Sequence, residues 1–270
     1  MRVTELLSRP ELAGASWSIV VRDLTTDETL LSVDPDHRLR TASVAKVFAL
    51  IELADRLEDA SLSPAQLVDR RESPQVADSG LWQHLSVDVL PLEDVARLVG
   101  AVSDNLATNV LIDALGLDRI QATARRWAGG EAMLHDYVRD ARDASMPTTL
   151  SEGSATAWVR VLTRLVTEAD EGGAAARRVL GWLSLGTDLS MVASAFGLDP
   201  LAHTEPDRGV VVWSKTGTDS SVRADVGVIA AGERRWVYAV LCSWTGDDVR
   251  DEVLGVMREV GRELRAAALT

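Results

Sequence analysis

Lysine is almost absent from this chain. Of its 28 basic residues 26 are arginine, and Lys46 and Lys215 are the only lysines in 270 residues. Arginine serves solubility and ion pairing at least as well, but it does not release its proton near neutral pH and is too broad to act as a point charge. Two lysines kept in such a background point to positions that need a compact amine or one that can be deprotonated. Cysteine is scarcer still. The single Cys242 excludes an internal disulfide, and four scattered histidines without metal spacing leave no metal or other cofactor to expect. No apolar run approaches the roughly 18 residues that span a bilayer. The first ten residues lack the apolar stretch and small-residue cleavage site of a signal peptide, so a cytoplasmic location is expected for the sequence as it stands, and export only if a leader preceded it. Basic charge is also in deficit: a formal net charge of −13 argues against nucleic acid as a partner. A small-molecule substrate, no membrane contact and a monomeric state are the expectations.

What is present reads as a globular protein, with 46% hydrophobic and 26% charged residues. Alternating apolar residues predict strands over 16–24 and 28–33, joined by the turn Thr25-Thr26-Asp27. From Ser43 the period becomes helical and stays so to about residue 195, broken at Ser-Pro and Gly-Gly signals. Strands return at 210–214, 223–230 and 235–243. Val249, Val253, Met257, Val260 and Leu264 then mark one face of a final helix. The fold class expected is α/β (α+β): one domain over 1–270, with an antiparallel sheet built from both chain ends and flanked by terminal helices. Residues 1–42 with 200–270 would form the sheet lobe, and 43–199 an inserted all-helical lobe. A cleft between lobes is the natural place for a site.

Three segments carry chemistry. Ser43-Val44-Ala45-Lys46 opens a helix, and its spacing puts hydroxyl and amine on one face, where a desolvated amine can take the hydroxyl proton. Ser103-Asp104-Asn105 follows the helical run 95–102 and supplies a hydroxyl and a side-chain amide. Lys215-Thr216-Gly217 sits at the end of the strand 210–214, where a cation and a hydroxyl could dock a substrate carboxylate and Gly217 would let substrate approach the backbone. Each segment has a plain reading as well: a capping serine with a surface lysine, a helix cap, a strand before a glycine turn.

Taken together and in this order, the three segments resemble the class A serine β-lactamases and penicillin-binding proteins, and the likeness runs from the first strands to the last helix. Arg142-Asp143-Ala144-Ser145-Met146-Pro147 is similar to the stretch that closes that family's active-site loop. The resemblance implies a β-lactamase/DD-peptidase-like fold and an acyl-enzyme on Ser43. Lys46 would be the acylation base or its partner, and Ser103 a proton shuttle. Asn105 would position substrate, Lys215 and Thr216 would bind its carboxylate, and the backbone N–H groups of Ser43 and Thr218 would form the oxyanion hole.

The sequence also departs from that family. Its loop normally carries a Glu that activates the deacylating water, with an Asn four residues on, yet 132–151 contains neither. Asp143 matches the loop's ion-pairing Asp, which leaves Asp136 and Asp140 as candidate bases. Asp219 stands where the family has Gly, and Arg223 would have to neutralise it beside Lys215. The eight tryptophans are expected in the core, with Trp82 a candidate for the cleft edge. Three functions therefore stay open: a β-lactam or cyclic-amide hydrolase, an esterase, amidase or peptidase with the same Ser-Lys chemistry, and a binding or sensor protein that acylates without turnover.

Overall fold

In the computed structural model residues 2–202 and 205–269 are described; His203 lies outside them. After a short helix α1 (Arg2–Leu7), strands β1 (Ala15–Asp23) and β2 (Thr29–Val33) form the expected hairpin. A two-residue strand β3 (Leu39–Arg40) leads to helix α2 (Lys46–Glu58). The helical region contains α3 (Leu92–Val102), α4 (Asn105–Leu115), α5 (Leu117–Ala128), α6 (Ala155–Asp170) and α7 (Ala174–Leu183). It also holds four three-residue strands: β4 (Leu67–Asp69), β5 (Val89–Pro91), β6 (Ala132–Leu134) and β7 (Ser151–Gly153). The inserted segment is thus not all-helical. Three-residue strands are too short to leave a period of two in the sequence.

The chain closes with β8 (Val210–Asp219), β9 (Val222–Ala231), β10 (Arg234–Trp244) and helix α8 (Arg250–Ala268). The main sheet has the order β2-β1-β10-β9-β8 and is antiparallel throughout, so both ends of the chain build it. Strand alternation sends successive side chains to opposite faces. On β10, Val237, Ala239 and Leu241 enter the core beneath the helical lobe, while Trp236, Tyr238, Val240 and Cys242 enter a second core. The stripe Val253, Met257, Val260 and Leu264 of α8 closes that second core, as the sequence period predicts.

β8 runs five residues beyond the expected strand. Its ladder with β9 continues from Lys215↔Val226 to Asp219↔Val222. The segment therefore lies within a strand and not at its end, which brings the Lys215 side chain alongside the Ser43 turn.

Candidate active site

Ser43 lies on a 3-10 turn, Ala42–Ala45, immediately before α2. Ala42 holds a φ of +47°, a left-handed value that a non-glycine residue adopts only when its surroundings enforce it. Here they do. Ser151 Oγ donates to the Ala42 carbonyl at 2.6 Å, and the Ser151 and Thr41 hydroxyls bond at 2.7 Å in the interior. From the other side β8 presses close. A Cβ on Gly217 would lie 2.1 Å from the Thr41 carbonyl oxygen. Gly217 is thus required by the approach of the Ser43 turn, a constraint separate from the substrate approach expected of it.

Lys46 is fully buried, and its Nζ donates to the Ser103 carbonyl at 2.7 Å, to Asn105 Oδ1 at 2.7 Å and to Ser103 Oγ at 3.4 Å. Among the described residues no hydrogen bond joins Nζ to Ser43 Oγ. Burial first, then the nearby charge of Lys215, hold the amine well below its ordinary pKa, against a partial opposite pull from Asp104 and Asp78. Ser103, with φ +57°, is the second strained non-glycine residue of the site. Asp104 stabilises that bend: its carboxylate accepts the backbone N–H groups of Leu81, Trp82 and Ala107 at 2.7–2.8 Å. Asn105 N donates to Ser79 O at 3.0 Å, so the loop before β5 is sewn to the same corner.

Ser43, Ser103, Lys215, Thr216, Thr218 and Asp188 are among the residues that line one pocket of about 280 Å3. Residues 60 and 172 positions beyond Ser43 in the chain therefore line the same pocket as the serine. Lys215 is 3% exposed and donates to the Thr216 carbonyl at 2.9 Å. Burial lowers its pKa to about 8, with Asp188 and Asp225 pulling the other way. Asp225, opposite Thr216 on β9, is itself buried, and desolvation raises it to about 7 despite hydrogen bonds from Tyr238 and the Val192 N–H.

Several expectations need correction. Asp136 is not free to act as a base. Arg139 and Arg142 grip its carboxylate at 2.6–3.0 Å, and although burial alone would raise its pKa, these bonds bring it below the usual range. The ion pair expected of Asp143 thus belongs to Asp136. Asp143 is exposed and accepts the Ser145 N–H at 2.8 Å. Asp140 is exposed and accepts the Ala77 N–H at 3.1 Å. Neither Asp136 nor Asp140 lines the Ser43 pocket. Arg223 does not meet the Asp219 carboxylate; it donates to the Asp219 carbonyl at 3.0 Å. The carboxylate that does line the pocket with Lys215 is Asp188, which carries no motif around it. Trp82 is completely buried, its Nε1 donating to Val87 O at 2.9 Å, because Arg70 and the Asp104 clamp turn it inward.

Asn109 is a residue whose part was not read from the sequence. Its Nδ2 donates to Pro74 O and Val138 O, and its Oδ1 accepts Val138 N–H, all within 3.0 Å. It ties the 135–150 loop to α4. The side chain of Val138 packs with Val76 and Leu106 in a small apolar cluster. The one available signal is that Asn105 and Asn109 are the chain's only asparagines.

Residues 2–268 match the family described as the beta-lactamase enzyme family. The chain belongs to it. A beta-lactamase regulatory protein of Streptomyces cacaoi, BlaB, is 25% identical over 291 residues, covering 93% of this beta-lactamase-family chain and 92% of its own length. Among solved structures, the beta-lactamase from Sphaerobacter thermophilus superposes with a TM-score of 0.82 at 21% identity, over 99% of this chain and 97% of that one. A mutant of PBP-A, solved as an acyl-enzyme complex with penicillin G, gives 0.79 at 18% identity, over 98% and 94%. At such identities the solved structures establish the shared fold, and this member's chemistry is argued from its own residues.

Proposed function

We propose that Ser43 attacks a β-lactam or a related cyclic amide to form an acyl-enzyme that is hydrolysed slowly. The observation that carries this reading is the burial of Lys46 beneath a pocket shared by Ser43, Ser103 and Lys215. A buried amine of lowered pKa gives up its proton more readily than a free lysine, and neutral it can accept the Ser43 proton as the new C–O bond forms. The ring C–N bond then breaks. Its nitrogen takes a proton from Ser103 Oγ, which Lys46 replenishes across the 3.4 Å contact. The backbone N–H groups of Ser43 and Thr218 face the developing oxyanion, and Lys215 with Thr216 holds the substrate's carboxylate.

Slow release rests on the loop. Asp136 is held by two arginines, Asp140 by a backbone N–H, and Val138 turns into an apolar cluster. None of these delivers a carboxylate to a water behind the acyl group. The regulatory relative and the penicillin-acylated PBP-A mutant are in keeping with a protein that is acylated more readily than it turns over.

A second reading is favoured by Asp188. Its carboxylate shares the pocket with Lys215 and offsets the attraction for a purely anionic substrate, which would suit simple esters or amides instead. Time-resolved intact-mass spectrometry with penicillin G and with an aryl ester separates these outcomes. Our reading expects a penicillin adduct on Ser43 that persists for many minutes and is absent from Ser43→Ala. Free enzyme recovered within seconds would replace slow release by ordinary lactamase turnover. Adduct from the ester alone would favour the second reading, and no adduct from either would end the acyl-enzyme assignment.

A further inference from the structure

A second concavity, of about 700 Å3, opens where the edge of the main sheet meets α6, and it shares no residue with the Ser43 pocket. Its construction follows from register. Val20 pairs with Ser32 and Arg22 with Thr29 across β1 and β2, so these pairs sit on one face of the hairpin. The opposite wall is a polar stripe of α6: Thr156, Arg160, Thr163, Arg164 and Thr167 recur at helical spacing, while Trp158, Leu162 and Leu165 of the same helix enter the core. A register shift falls between Val21 and Arg22, and bulges of this kind re-aim the side chain that follows.

The charges are unusual for so acidic a chain. Three arginines (Arg22, Arg160 and Arg164) line it with one carboxylate, Glu168, which is paired with Arg164 at 2.6 Å, while the Arg164 guanidinium also stacks on Trp127. Arg160 is exposed and has no ion pair among the described residues. Arg22 is partly engaged. One terminal nitrogen meets Asp27 at 3.2 Å, and the other donates to Thr163 Oγ1 at 3.4 Å across the groove. Its Nε is buried and has no hydrogen-bond partner among the described residues. A buried guanidinium N–H left without an acceptor is costly, and a turn of the Arg22 side chain that opened Nε to the groove would let an anion there satisfy it.

We propose that this groove binds a small soluble phosphomonoester. Arg22, once its side chain turns to present Nε, and the Arg160 guanidinium supply charge-assisted bonds to the phosphate, whose three terminal oxygens accept several donors at once. The threonine and serine hydroxyls fill the remaining acceptor positions. A volume of about 700 Å3 holds far more than a phosphate, and the apolar Val20 and Val159 offer a floor for the body of the ester. Because the groove joins the sheet hairpin to α6, occupancy would brace the two against each other. The inference does not depend on Ser43 being acylated.

Isothermal titration calorimetry at constant ionic strength tests it, with glycerol 3-phosphate as the ester, inorganic phosphate as the bare anion and succinate as a dianion of other chemistry. Both phosphates should bind saturably, the ester at least as tightly, and succinate more weakly. Arg160→Ala, a surface change, should weaken both phosphates about tenfold or more, as expected for a lost bond to a charged group, while Ser43 acylation proceeds at the wild-type rate. Arg22→Gln should do the same provided it folds. Absence of saturable binding, binding indifferent to Arg160→Ala, or succinate binding as tightly as the ester would each overturn the proposal.

Discussion

Two lysines of opposite task share one small volume. In the acyl-enzyme mechanism we propose, Lys46 must lose its proton to serve Ser43, and Lys215 must keep its own to hold an anion. Burial depresses both; Lys46 also feels the positive charge of Lys215 against a pull from Asp104 and Asp78, and Lys215 is supported by Asp188 and Asp225. With rising pH the second-order rate of acylation by penicillin G should climb as Lys46 becomes neutral, then fall as Lys215 loses its charge near pH 8, giving a bell. An aryl ester without a carboxylate should show the rising limb only. Stopped-flow acylation from pH 5 to 10 reads both profiles, and a penicillin rate that stays flat above pH 9 would remove Lys215 from substrate binding. Lys46→Arg keeps the charge but cannot release the proton, so acylation should drop by about 100- to 10,000-fold. At this scale the sequence was informative, because the scarcity of lysine singles out these two positions before any fold is known.

The elements matter chiefly at one crossing, where β8 lies against the turn that carries Ser43. Gly217→Ala would place a methyl group 2.1 Å from the Thr41 carbonyl and 3.1 Å from Val44 Cγ2. Both neighbours belong to a turn already held at a strained φ, so the turn must shift away from the strand. The expected stability loss is about 1–3 kcal/mol, measured by urea unfolding. The acylation rate should fall about tenfold or more even where the variant is fully folded, since small misplacements of a reacting atom are expensive. Wild-type acylation in a folded Gly217→Ala protein would show that the turn tolerates the displacement. This crossing was not legible in the sequence. Lys-Thr-Gly-Thr-Asp has no apolar alternation, so periodicity ends the strand at 214, but the backbone ladder to β9 reads no side chains and runs on to 219. Long helices were legible because α3 and α6 each bury one continuous face and α2 carries an apolar run that is buried on every side. The partners of Asp136 and Asn109 were not. Their roles depend on which arginine or backbone group the loop folds onto, and Asp143 looked the better candidate for the ion pair on sequence position alone.

At the scale of the whole molecule the main sheet separates two cores that draw on the same strands, so the order in which they open is a property of the fold rather than of the site. Motifs far apart in the chain were recognisable as one site because each carries distinctive chemistry; Asp188 was not, since an exposed aspartate acquires meaning only from the pocket it lines. Cys242 offers a probe of the second core. It is fully buried on β10 beneath α8, and desolvation raises its pKa well above the ordinary thiol value, so the native protein presents neither access nor thiolate. α8 packs on the sheet through one apolar stripe, with Arg234 of β10 donating to the Ala267 carbonyl at 2.7 Å; lifting it breaks no strand ladder. Leu264→Ala removes a completely buried side chain from that stripe at a cost of about 2–5 kcal/mol. It should accelerate labelling of Cys242 by a thiol reagent about tenfold or more in native buffer, by raising the population of a locally opened form. Leu53→Ala, equally buried in the first core, should destabilise the protein by a similar amount and leave labelling nearly unchanged while global unfolding remains rarer than the lifting of α8. Equal acceleration by both substitutions would mean that the two cores melt together and that α8 never leaves the sheet on its own.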